Sequence, residues 1–189
     1  AAASLYASYS LAYQPRAGEQ LASLTATTQS LDPERFTNYE VGAKWDLTPV
    51  LAASAALYRL DRTNVAVPDP SDPTRLLLVA GQRTSGIELE LTGQLRSWWQ
   101  TTGGYAFQDG ALSATISASA RAGARLAMLP AHSWSVWNKV TLPKDWEAAI
   151  GIVHRGATFT SLDNTVTLPG FTRADAALFY NVSRRVRAQ

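Results

Sequence analysis

The chain has 189 residues, enough for one domain with a core of its own, and its formal net charge of +2 leaves no electrostatic footprint for nucleic acid. It has no cysteine, which excludes disulfides and thiolate metal sites. Charged residues are sparse at 17%, yet mean hydropathy is −0.10 and no run approaches the ~18 consecutive apolar residues of a membrane helix, so apolar and polar residues must be interleaved.

Turn signals divide the chain into roughly eight strands. The first is expected over residues 5–13 and the second over 37–47. In the second, Tyr39, Val41, Ala43, Trp45 and Leu47 alternate with Glu40, Gly42, Lys44 and Asp46. A period of two marks a strand with one apolar and one wet face. In the third, 51–62, keeping Arg59 and Asp61 out of hydrocarbon turns Ala52, Ala56, Tyr58 and Leu60 outward and leaves Leu57 inside. In the fourth, 84–95, Ile87, Leu89, Leu91 and Leu95 alternate with Glu88, Glu90, Thr92 and Gln94. The fifth, 98–108, sets Trp99, Tyr105 and Phe107 against Gln100, Thr102 and Gln108. In the sixth, 131–142, Lys139 implies Trp134, Val136 and Val140 outside and Trp137 inside. Strands over 146–155 and 171–182 complete the set.

Strands of about ten residues exceed the five or six usual in soluble proteins and are long enough to cross a bilayer at a tilt. The connections alternate in length. Tight turns at 48–50, 96–97 and 143–145 contrast with long stretches at 14–36, 63–83, 109–130 and 156–170, which is the arrangement of an outer-membrane barrel. Trp45, Trp98, Trp99, Trp146, Phe179 and Tyr180 lie near the short-turn rim; Tyr13, Tyr39, Tyr58, Tyr105 and Phe107 lie toward the long loops. Two aromatic belts fit the two interfaces of a bilayer. The competing reading is a soluble sandwich with these rings in its core. The segment 111–124, rich in small residues, is expected to be mobile.

Several words of the sequence also resemble a known family. Leu31-Asp32-Pro33-Glu34 followed by Asn38-Tyr39-Glu40-Val41-Gly42-Ala43-Lys44-Trp45-Asp46 is similar to a segment of TonB-dependent siderophore receptors. Ala56-Leu57-Tyr58-Arg59-Leu60-Asp61-Arg62, Gly81-Gln82-Arg83-Thr84-Ser85-Gly86-Ile87-Glu88-Leu89-Glu90, Gly104-Tyr105-Ala106-Phe107-Gln108-Asp109, Pro130-Ala131-His132-Ser133 and Leu168-Pro169-Gly170-Phe171-Thr172-Arg173-Ala174-Asp175 continue the match in order. The wording looks most like the ferric-catecholate branch.

The resemblance implies an all-β fold: an antiparallel transmembrane β-barrel, present incompletely as about eight strands of about 22. Residues 1–189 would be the later part of the barrel domain, without the N-terminal plug or the closing strands. The implied role is TonB-dependent uptake of a ferric, catecholate-type siderophore across the bacterial outer membrane. Its partners would be the siderophore, the lipid bilayer and the TonB system, reached through the N-terminal region; no enzyme activity, cofactor or nucleic acid is implied. A different class remains open, a self-contained eight-strand barrel with a structural or adhesion role, because eight strands can close a small barrel. An outer-membrane hydrolase is a third reading.

No catalytic or metal site is expected. His132 and His154 are the two histidines, too few for a His-rich metal site, and His132-Ser133 has neither an oxyanion hole nor a third member. Glu88 and Glu90 share a strand face as an acid–base pair would. They read better as lining a hydrated lumen together with Glu40, Lys44, Arg59 and Arg155. Arg184-Arg185-Val186-Arg187 reads as a turn meeting water and headgroups. In the long loops, Arg16, Arg75, Arg121 and Arg125 are candidates for attracting an anionic chelate, against the plainer reading of solvated loop charge.

The facing assignment has a direct consequence. Leu89→Arg puts a charge on the hydrocarbon side at a cost of about 2–4 kcal/mol, whereas Glu90→Arg puts it on the wet side. The Leu89→Arg receptor should reach the outer membrane in much smaller amount than the Glu90→Arg receptor, measured by immunoblot of membrane fractions; equal losses would contradict the assignment.

Overall fold

A computed structural model describes residues 2–14, 33–69, 72–79, 81–183 and 186–188. Its eight long strands are β1 (Ala2–Gln14), β2 (Glu34–Thr48), β3 (Leu51–Thr63), β6 (Gln82–Arg96), β7 (Trp99–Leu112), β8 (His132–Thr141), β9 (Trp146–Arg155) and β12 (Phe171–Ser183). Each falls where the alternation predicts a strand, and several run further toward the long loops. Shorter elements lie among them. Val65–Asp69 (β4) and Asp72–Val79 (β5) form a hairpin, Thr158–Phe159 (β10) pairs with Thr167–Leu168 (β11), and Val186–Ala188 (β13) follows β12.

The long strands make an antiparallel meander in the order β1-β2-β3-β6-β7-β8-β9-β12-β13. Among the described residues no ladder joins β1 to β12 or β13, so the sheet is open at both edges and the eight strands do not close on themselves. Within it each strand's backbone groups pair with a neighbour, which is what a chain surrounded by hydrocarbon requires. Tight turns join β2 to β3, β6 to β7 and β8 to β9. In the last, Lys144 and Asp145 both take φ of 61°, the pair of left-handed residues that matches a hairpin to strand twist.

Directly opposed residues in an antiparallel ladder share a face, so the register settles which way each strand faces. On one face run Val41–Leu57–Ile87–Phe107 and Ala43–Ala55–Leu89–Tyr105, continuing to Trp134, Val136, Ile152, Ile150 and Leu178. On the other run Gly42–Ala56–Glu88–Ala106 and Lys44–Ser54–Glu90–Gly104. The first face is apolar and uncovered: Leu5 is 86% and Leu57 54% exposed, and no second sheet lies against it among the described residues. An apolar surface of this extent is unstable in water, which rules out the soluble sandwich.

The register corrects the facing of β3. Leu57 stands with Val41 and Ile87 on the apolar face, and Tyr58 stands with Glu40 on the polar one, the reverse of the expectation from sequence. Ala52, Ala56 and Leu60 turn inward with Tyr58. The reason is that Arg59 and Asp61 sit near the long-loop end of the strand, where a charge on the outer face need not meet hydrocarbon. Phe179 also leaves the expected belt, since it opposes Glu147 on the polar face. The sixth strand faces as expected, with Trp134, Val136 and Val140 outward and Trp137 inward.

The buried apolar cluster is not under the sheet at all. Val65, Leu112, Ala120, Leu126 and Leu162 form it, with Ile116, Ala124 and Leu129 against it; apart from Leu112, the last residue of β7, they come from three different long connections. Main-chain bonds tie the connections together: Met128 N–H donates to Phe159 O (2.8 Å), Leu126 N–H to Gly110 O (2.9 Å) and Ser113 N–H to Gly81 O (3.0 Å). The stretch 111–124 packs into this cluster through Leu112, Ile116, Ala120 and Ala124, and Ala120 is wholly inaccessible to solvent.

Candidate functional site

The polar face of the sheet is concave and bounds a cavity of about 1020 Å³ that reaches from Tyr6 on β1 to Phe171 on β12. Of the residues expected on a wet inner wall, Glu40, Lys44, Glu88, Glu90 and Arg155 line it, whereas Arg59 stands on the outer face in a row with Tyr39 and Ser85. Glu40 and Lys44 come from β2 and Glu88 and Glu90 from β6, at the even spacings (four and two residues) that keep them on one face. Ser54, Ala56, Gly104 and Ala106 oppose the two glutamates across the ladders, so small neighbours leave both carboxylates exposed to the cavity.

Aromatic side chains on this wall lie flat over glycines directly opposite them. Tyr6 covers Gly42, Tyr58 covers Gly86 and Trp137 covers Gly151, and a Cβ built at any of the three would stand under 3.0 Å from the ring. The missing side chain is what lets the ring lie down, and the ring in turn shields bare strand backbone from water. Once flat, Tyr6 donates its hydroxyl to Glu40 Oε1 (2.7 Å), and Lys44 Nζ stands 5.5 Å from its ring centroid. Tyr58 similarly donates to Gln108 Oε1 (3.3 Å).

At the long-loop end the wall meets the packed connections. Arg155 Nη2 donates to Met128 O (2.8 Å), so this cation tethers the 113–130 connection to the sheet besides facing the cavity. A second cavity of about 620 Å³ opens beneath the same connections, lined by Tyr58, Arg62, Gln82, Gln108, Met128 and Ser161 among others. There Arg62 pairs with Glu34, lies 5.0 Å from the Phe36 ring centroid and reaches Gln82. Sequence reasoning missed the Arg62–Glu34 pair. Its members are separated by a long connection, and only the β2–β3 register brings them together.

The loop arginines fare differently. Arg16 lies outside the described residues; Arg75 falls in β5, with its side chain outside them too. Arg121 Nε donates to Ala118 O (2.9 Å), which braces its own turn. Arg125 pairs with Asp109 (3.5 Å), while its backbone exchanges two hydrogen bonds with the Asn164 side chain. Both thus have a partner within the connections while remaining exposed. Beside Asn164, hydrogen bonds from Ser161 Oγ (2.6 Å) and from Thr165 hold the Asp163 carboxyl below the usual carboxylate range. His132 and His154 lie on the apolar face, against Phe107 and Trp134, away from any catalytic partner set. Arg184 and Arg185 lie outside the described residues.

A concave antiparallel meander, apolar outside and polar inside, with tight turns at one rim and packed loops at the other, defines the wall of a membrane-spanning β-barrel. Residues 2–189 match the family described as TonB dependent receptor-like, beta-barrel, and the chain belongs to it. It is 27% identical over 201 residues to the probable TonB-dependent siderophore receptor PiuA of Acinetobacter baumannii, covering 98% of this chain and 27% of that one. The crystal structure of PiuA superposes with a TM-score of 0.78 over 96% of this chain and 28% of the other. The probable TonB-dependent receptor BfrD of Bordetella pertussis is 30% identical, and the catecholate siderophore receptor Fiu of Escherichia coli 26% identical, each over 98% of this chain and 26% of its own length. The chain thus spans about a quarter of the length of the relatives it matches.

The ring-over-glycine pairs are testable. Gly151→Val drives a branched side chain into Trp137 and should destabilise the receptor by about 1–3 kcal/mol. Gly104→Ala, whose Cβ would find nothing nearer than Leu89 O at 3.7 Å, should stay within about 0.5 kcal/mol of the parent. Urea unfolding of the receptor in lipid vesicles, followed by tryptophan fluorescence, measures both; equal effects would contradict the account.

Proposed function

We propose that this chain is part of the barrel of an outer-membrane receptor that takes up a ferric siderophore of the catecholate type in a TonB-dependent manner. The observation that carries the reading is the family match over residues 2–189 together with relatives named as siderophore receptors, Fiu among them as a catecholate receptor. The cavity on the polar face supports it. In this reading Glu40, Lys44, Glu88, Glu90 and Arg155 line a hydrated lumen, and the packed connections lie at the outer rim where the ligand arrives. The plug and the segment that contacts TonB belong to other parts of the receptor. A ferric tris-catecholate is anionic, and the cations nearest the outer rim of the wall, Arg62 and Arg155, already stand at the cavities it would enter. The self-contained small barrel is disfavoured by the open order of the sheet.

Uptake of radiolabelled iron as a ferric catecholate, in an iron-starved host lacking its other receptors, tests the reading. Cells expressing the full receptor should accumulate at least about ten-fold more iron than cells without it, a difference lost when TonB is absent. Uptake unchanged by the receptor would overturn the proposal, and uptake of a hydroxamate chelate alone would overturn its catecholate part.

A further inference from the structure

The apolar face ends in a charged cluster that hydrocarbon would not tolerate. Val41, Leu57 and Ile87 form one row across β2, β3 and β6. The next row toward the long loops is Tyr39, Arg59 and Ser85, and the one after is Thr37, Asp61 and Arg83; Arg35 stands one row further, opposite Thr63. With a rise of about 3.4 Å per residue, Arg59 lies about 7 Å and Arg83 about 14 Å along the strands from the last apolar row. That is the depth at which headgroups replace acyl chains. Tyr9 and Tyr39, with ring centroids 5.3 Å apart, flank the cluster on the same face, as aromatic side chains do at an interface.

The internal geometry of the cluster leaves it able to bind. Asp61 accepts Arg59 Nε on Oδ2 (2.9 Å) and Arg83 Nε on Oδ1 (2.7 Å), one guanidinium on each oxygen. Of the five N–H donors of each guanidinium, Asp61 therefore engages one. Both arginine side chains remain about half exposed, at 48% and 50%. Arg35 is exposed and has no charged partner among the described residues. Asp109, opposite Ser85 on the same face, is paired with Arg125 (3.5 Å). The three guanidinium groups of Arg35, Arg59 and Arg83 against Asp61 therefore leave two positive charges, on the opposite side of the sheet from both cavities.

We propose that Arg35, Arg59 and Arg83 form a binding site for the phosphate of a phosphorylated lipid of the outer leaflet, with Asp61 holding two of the guanidinium groups in place. Guanidinium and phosphate match in charge and in forked geometry, and the apolar row below receives the acyl chains. A soluble anion has no reason to prefer this face, because nothing encloses it there.

The test uses the full receptor in detergent, with bisphosphorylated lipid A as the probe and bound lipid counted by native mass spectrometry across a titration. Arg59→Gln with Arg83→Gln should weaken lipid binding at least ten-fold. Arg35→Gln, which touches neither ion pair and carries the test if the double variant does not assemble, should weaken it several-fold. Arg96→Gln at the opposite rim should leave it unchanged. Dephosphorylated lipid should bind the parent as weakly as intact lipid binds the double variant, and millimolar inorganic phosphate should not displace the lipid. Unaltered affinity in the arginine variants, equal binding of dephosphorylated lipid, or displacement by inorganic phosphate would each overturn the site.

Discussion

Everything in this structure follows from a sheet one residue thick that separates two solvents. Backbone pairing runs unbroken between neighbouring long strands of the meander because hydrocarbon offers no substitute donor or acceptor, so those strands must run in long register. That register forces each side chain to one solvent or the other. Val41, Leu57, Ile87 and Leu89 gain their stability from surroundings that the chain itself does not provide, and the polar row of Glu40, Lys44, Glu88 and Glu90 gains its own from water. With no apolar interior beneath the sheet, a core can form only where the chain leaves the membrane, and Leu112, Ala120, Leu126 and Leu162 form it from the end of β7 and the long connections. The loops are the globular part of this protein, and the wall is its surface.

The same constraint explains the inner wall. A curved wet sheet of small residues would leave strand backbone open to water, and laying Tyr6, Tyr58 and Trp137 over their opposite glycines covers it while presenting a hydroxyl from each tyrosine. Tyr6 then links Glu40 and Lys44 into one polar group, and Tyr58 reaches Gln108. Arg155 and Arg62 connect this wall to the folded connections, so a ligand pressing on the loops would act on side chains that already grip the barrel.

How much of this was legible in the sequence depended on whether a signal was local. Alternation is local, and it located the eight long strands and the tight turns; the wet row from Glu40 to Glu90 could be read the same way. Facing failed at β3 because Arg59 and Asp61 were weighed as charges without their height: near the long-loop end they meet headgroups and water, so they place no demand on Tyr58 or Leu57. The packing of 111–124 was invisible because alanine and serine look pliable until partners such as Leu162 and Val65 arrive from other connections. Arg62 with Glu34, and each aromatic with its glycine, were illegible for the same reason. Such pairs are set by strand register, and a single sequence does not print its register.

The claim on which the account rests is that odd and even positions of one strand meet different solvents. Spin labels placed singly at residues 87 to 92 of β6, in the full receptor reconstituted in lipid vesicles with any cysteine outside this chain replaced, measure this directly; the chain itself has none. Labels at 87, 89 and 91 should collide chiefly with dissolved oxygen, which concentrates in hydrocarbon, and labels at 88, 90 and 92 chiefly with a water-soluble nickel chelate. A profile without that two-residue period, or with the odd positions open to nickel, would contradict it.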